Sequence, residues 1–140
     1  MRRHTILRVV AKLLLPYILL FGLYVQFHGD YGPGGGFQAG VIFAAGFILY
    51  ALVFGLAAAR RVARPEVIEA LVALGVLIFA GTGVVAMLNG GNFLDYGALD
   101  PHDPPTGQVH GILIVELGVG ITVAAVMIAI FFAFAGRERT

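Results

Sequence analysis

The chain has 140 residues, of which 59% are hydrophobic and 12% charged, and its mean hydropathy is +0.93. The length fits one domain, and the composition excludes an ordinary water-soluble one. There is no cysteine, which excludes disulfides and thiolate metal sites. The formal net charge of +1 is uninformative, but the distribution of the basic residues indicates membrane topology, so no nucleic-acid partner is expected.

Four apolar runs are each long enough to cross the roughly 30 Å hydrocarbon core of a bilayer as a helix. We place these spans at about 9–27, 37–59, 67–88 and 111–135. The predicted fold class is therefore an all-α integral membrane protein. It forms a bundle of four transmembrane helices in a single domain covering residues 1–140.

The basic residues occur only before the first span or in its first turn, between the second and third spans, and after the fourth. The two remaining loops contain no Lys or Arg but carry aspartates. Since basic residues favour the cytoplasmic side, both termini are predicted to be cytoplasmic. The even number of spans agrees with this topology.

The first two spans are joined by a glycine-dense polar stretch, Phe27-His28-Gly29-Asp30-Tyr31-Gly32-Pro33-Gly34-Gly35-Gly36-Phe37-Gln38-Ala39-Gly40. Proline fixes one backbone angle, while glycines can take positive φ or let another backbone approach closely. A connection this short predicts two adjacent antiparallel helices. We expect a structural loop formed by Pro33, Gly34, Gly35, Gly36, Phe37 and Gly40.

Small residues recur at helical spacing in the second span, which favours close helix packing. In the fourth span they lie opposite Glu116, which sits about five residues, or on the order of 8 Å, inside the run. A carboxyl group at this depth normally faces a protein interior, a cavity or a partner. His28 and Gln38 are the candidate partners within the chain, and an adjacent subunit is the alternative. Glu116, His28 and Gln38 are thus candidates for an ion path or for buried polar architecture.

The long loop at 89–110 combines turn-forming residues with aspartates and histidines. Carboxylate and imidazole groups can bind divalent ions, but Asp-Pro and His-Asp-Pro-Pro sequences are also ordinary turn chemistry. We favour turns and predict no metal site. No P-loop, nucleophile elbow, zinc motif or pair of acids at hydrolase spacing occurs, so neither an enzyme nor a cofactor is expected.

Two stretches resemble the MnhB/MrpB family, the B subunits of multisubunit Na⁺/H⁺ antiporters. The Pro33–Gly40 sequence P-G-G-G-F-Q-A-G is similar to that family's glycine loop, with Ala39 where a glycine is common. The Val115–Gly120 sequence V-E-L-G-V-G is similar to its last helix. The likeness extends over nearly the whole chain, including its length and its four spans.

The resemblance implies a non-catalytic membrane subunit that supports assembly of a hetero-oligomeric antiporter and is a candidate contributor to its ion path. Its implied partners are the other subunits and the lipid bilayer, with Na⁺ and H⁺ as the ions that the complex transports. The implied location is the bacterial inner membrane. A purely structural membrane scaffold with no residue on any ion path stays open, and so do two further alternatives. One is the same module in a membrane-bound hydrogenase-type complex. The other is an autonomous four-helix proton-coupled transporter, although those proteins carry their glutamate in the first helix.

Overall fold

A computed structural model of the chain describes residues 4–29, 32 and 34–137. Within these ranges the fold is entirely helical, with five α-helices and one short 3₁₀ turn at Tyr96–Leu99. The α-helices are α1 (Thr5–His28), α2 (Gly36–Phe54), α3 (Leu56–Val62), α4 (Pro65–Leu88) and α5 (Pro104–Gly136). All but α3 are long and apolar enough to cross a membrane. The predicted all-α fold with four spans is confirmed.

The second span was predicted to run to Ala59, but α2 ends at Phe54. Gly55 takes φ +100, a conformation that strongly favours glycine, and its N–H donates to the carbonyl of Ala51. The chain then resumes as the short α3. Continuous hydrophobicity through this point concealed the break, because an apolar pattern does not report the backbone angle of one glycine.

The fourth span was predicted to begin at Gly111, whereas α5 begins at Pro104. Proline is favoured at the first turn of a helix because that turn leaves its N–H groups unbonded anyway. The polar composition of 104–110 hid this start. The helix α1 is also longer than its predicted span and begins at Thr5 rather than Val9.

The four long helices pack side by side in the order α1, α2, α5, α4. The last helix therefore lies between the second and the third of the predicted spans. Small residues permit this: a Cβ built on Gly40 of α2 would lie 2.8 Å from the carbonyl oxygen of Gly120. On the other side, a Cβ on Gly118 would lie 2.9 Å from the carbonyl oxygen of Gly75 in α4. Close approach of this kind is typical of membrane helix packing.

Cationic side chains gather at one end of the helices. Arg8 and Lys12 of α1 lie 5.3 Å and 5.6 Å from the ring centre of Phe54. Arg60 of α3 donates to the carbonyl of Phe132 at 3.2 Å and lies over the ring of that residue. A cation is favourable there because the carbonyls of the last turn of a helix have no partner within the helix.

The long loop between α4 and α5 folds back on the ends of these helices that lie away from the cationic side chains. The ring of Phe93 covers Gly83 and the ring of Tyr96 covers Gly111, and a Cβ on either glycine would overlap the ring. The side-chain amide of Asn89 donates to the carbonyl of Ala98 at 2.9 Å. The loop is therefore a packed part of the fold.

Candidate functional site

The glycine loop is folded back against the end of α1. The N–H of Gly35 donates to the carbonyl of Val25 at 3.2 Å, and Gly35 has φ +130. A Cβ built on Gly34 would lie 2.8 Å from the same Val25 carbonyl oxygen. Glycine is thus required at 35 by its backbone angle and at 34 by close approach. Pro33 lies outside the described residues.

The carboxyl group of Glu116 lies against this loop. A Cβ on Gly29 would be 3.2 Å from one carboxyl oxygen, and a Cβ on Gly35 would be 3.3 Å from the other. Gly35 is also the N-cap of α2, and α2 has no capping side chain of its own. A carboxylate beside a helix N-terminus is favoured by the helix dipole and by the unpaired first N–H groups. The deep acid of α5 is therefore positioned at the start of α2.

The backbones of α2 and α5 are in contact next to the Glu116 carboxyl group. A Cβ on Gly36 would overlap the carbonyl oxygen of Glu116 and would lie 3.1 Å from the backbone nitrogen of Gly120. The obstacles are backbone atoms, which a side-chain rotation cannot move. Gly36 therefore sets the distance between the two helices at the site.

The two other predicted polar residues lie on different sides of the loop. The side-chain oxygen of Gln38 lies 3.3 Å from a Cβ built on Gly35. Gln38 and Glu116 therefore border the same glycine. His28 stacks on the ring of Tyr24 at 5.0 Å, and its Nε2 atom would be 3.0 Å from a Cβ on Gly32. Of the predicted loop residues, Gly40 packs on α5 and the side chain of Phe37 is exposed.

Gln26 is a polar residue of this region that the sequence analysis missed. It is only 5% exposed, and its Nε2 atom has no hydrogen-bond partner among the described residues. Its side-chain oxygen lies beside Gly120 of α5, one helical turn from Glu116. One feature of the sequence could have identified it: Gln26 lies four residues after Gly22, so the two residues share one face of an apolar helix.

A cleft of about 300 Å³ extends from Gln26 along α5. Its walls come from α1, α2, α4 and α5, and Val62 and Ala63 line it where α3 meets α4. The lining is almost wholly apolar, and many of its side chains are small. A cavity of this size is at the lower end of the range for ligand sites in proteins.

The acids of the long loop between α4 and α5 form turns. One carboxyl oxygen of Asp100 accepts from the N–H groups of His102 and Asp103, each at 3.2 Å. Asp103 in turn accepts from the hydroxyl of Thr106 at 2.7 Å in the first turn of α5. Within the described ranges, no three metal-binding side chains converge on one position.

The helices and the glycine loop define a multi-pass membrane protein in which Glu116 lies at the junction of α2 and α5. The family model described as a domain related to the MnhB subunit of Na⁺/H⁺ antiporter matches residues 6–129. The chain belongs to the MnhB family.

Two relatives agree with this assignment. A protein of Staphylococcus haemolyticus named "Putative antiporter subunit mnhB2" is 36% identical over 135 residues, which cover 95% of each chain. A protein of the same name from Staphylococcus aureus strain Newman is 34% identical over 133 residues, or 94% of each chain. The similarity thus covers the helices, the glycine loop and Glu116 together.

Proposed function

We propose that the chain is a membrane subunit of a multisubunit Na⁺/H⁺ antiporter, and that it supports assembly of the complex rather than catalysing a reaction. Family membership and the names of the relatives support the antiporter assignment. The supporting role rests on one observation, the seating of the Glu116 carboxyl group between Gly29 and Gly35. In this role Glu116 joins α5 to the start of α2, and Gln38 borders the same glycine.

A relay for protons needs a series of titratable groups that reach across the membrane. Within the described spans, Glu116 is the one acid away from the helix ends, and Lys12 lies near the basic end of α1. A chain of this composition is suited to holding other transport subunits in place. Its proposed partners are those subunits and the surrounding lipid, with Na⁺ and H⁺ carried by the complex.

The function is tested by deleting the gene that encodes the chain and then expressing an affinity-tagged copy in the deletion strain. We expect everted vesicles without the chain to lose Na⁺/H⁺ exchange and the restored strain to regain it, with other transport subunits co-purifying. Unchanged exchange without the chain would contradict the proposal. Hydrogenase subunits in the purified complex, or exchange by the chain alone in liposomes, would favour one of the two alternatives.

We also propose that both termini are cytoplasmic, because the described cations lie at the end of the helices where α1 begins and α5 ends. The absence of native cysteine allows a direct test with an impermeant thiol reagent. His102→Cys should react from outside the cell and Arg61→Cys only in everted vesicles, since both side chains are exposed. Labelling of both from the same side would contradict this topology.

A further inference from the structure

We propose that the cleft beside Gln26 is the docking groove for a transmembrane helix of another antiporter subunit. This helix is apolar along its length and presents one hydrogen-bond acceptor to the amide of Gln26. The inference rests on the proposed function, because it requires a hetero-oligomeric complex.

Gln26 lies two residues before the end of α1, and its buried Nε2 atom finds no acceptor in the described part of the chain. An amide N–H group that is withdrawn from water without an acceptor is costly, and a bilayer offers none in its hydrocarbon region. The terminal amide torsion of glutamine is soft, so the Nε2 atom can turn toward the cleft that Gln26 lines. An acceptor in the cleft would satisfy it.

The cleft runs along the helices rather than across them. On α5 the lining runs from Leu117 to Ile128, about 17 Å at 1.5 Å per residue. It continues to Ala63 and Val67, next to the turn at the basic end of the helices. This length is more than half of the roughly 30 Å hydrocarbon core. The groove is therefore parallel to the long helices, which is the direction in which a neighbouring transmembrane helix packs.

The walls of the cleft suit a helix as well. Small residues from three helices line it, and they leave room for the side chains or the backbone of a neighbouring helix. They are Gly22, Ala39, Gly40, Gly120, Ala124 and Ala125. The neighbouring helix would supply the acceptor at the level of Gln26. The acceptor would be a hydroxyl or amide side chain, or a backbone carbonyl that has no hydrogen bond within its own helix.

Photo-crosslinking within the intact complex tests the proposal. Leu23 lines the cleft and is 48% exposed, whereas Tyr17 is 64% exposed and lies about half a turn around α1 from Gln26. Benzoylphenylalanine at position 23 is expected to form an adduct with a hydrophobic helix of a different subunit. Mass spectrometry should find an acceptor within one turn of the adduct. The same probe at position 17 is not expected to reach that helix.

Two further measurements make the result decisive. A probe at Ala124, on the α5 wall of the cleft, should react with the same helix as the probe at position 23. Gln26→Leu should lower the yield of the Leu23 adduct several-fold, while the purified chain alone melts at the same temperature or higher, because an unpaired donor has been removed.

Adducts with lipid only, or with a second copy of this chain, in an otherwise intact antiporter would overturn the docking proposal and leave the proposed function standing. Failure of any antiporter subunit to co-purify would overturn both. An unchanged adduct yield in Gln26→Leu would overturn the role of the amide.

Discussion

Gly36→Ala is expected to destabilise the chain more than any other single-methyl addition in the first half of the sequence. The new Cβ would overlap the carbonyl oxygen of Glu116 and lie 2.9 Å from its carbonyl carbon, so α2 and α5 must separate. Overpacking costs roughly 1–3 kcal/mol, and rigid backbone obstacles place this site at the upper end of that range. Alanine regains about 1 kcal/mol of helix propensity. We expect a net loss of about 2 kcal/mol in unfolding free energy.

Gly81→Ala is the matched control. Gly81 is also a helical glycine, but a Cβ built on it meets nothing within 4 Å. Alanine there should be neutral or should stabilise by up to about 1 kcal/mol. Thermal unfolding in detergent and the amount of subunit in the assembled complex measure both variants. Equal melting of Gly36→Ala and the wild type would contradict the close contact between α2 and α5.

Glu116→Ala is the second change with a large expected effect. It removes the carboxyl group from the N-terminus of α2 and leaves the polar groups of the loop without that neighbour, at a cost of roughly 1–3 kcal/mol. Glu116→Gln keeps an acceptor oxygen at the same place and should lose less, on the order of 0.3–1 kcal/mol of interaction with the helix dipole. Melting of the purified chain and the yield of intact complex measure the difference.

The pH dependence of exchange distinguishes a supporting role from proton exchange at Glu116. Everted vesicles with Glu116→Gln are expected to show the wild-type pH profile, because the complex remains assembled and glutamine cannot ionise. Glu69→Gln, at an exposed acid near the start of α4, is the control for loss of one negative charge. A shifted or abolished profile with Glu116→Gln in an intact complex would show that Glu116 exchanges protons.

The sequence was sufficient for features that repeat along the chain. The number of spans and the small-residue face of α2 followed from periodic patterns, and Gly36, Gly40 and Ala44 are buried as that pattern indicates. On α5 the pattern is only partly as expected: Gly118 packs toward α4, away from Glu116, while the small residue Gly120 packs toward α2 on the same side as Glu116. Such patterns are visible because each face is specified by several residues.

Features that depend on one residue, or on which helices are neighbours in space, could not be predicted from periodic patterns in the sequence. The break at Gly55 depends on one backbone angle, and the early start of α5 depends on a proline in a polar stretch. The seating of Glu116 required knowing that α5 lies beside α2, and the sequence left its partner open between this chain and another subunit. Gln26 was overlooked because nothing in an isolated helix shows that an amide lacks an acceptor.

The spatial order of the helices has a consequence for biogenesis. The helices emerge from the ribosome as α1, α2, α4 and then α5, but α5 occupies the position between α2 and α4. Until it is inserted, the glycine faces at Gly36 and Gly75 lack their native partner. The native packing of α2 and α4 is therefore completed only when α5 has been inserted between them. A chaperone or a neighbouring subunit that acts on the unfinished chain would encounter the glycine faces in that interval.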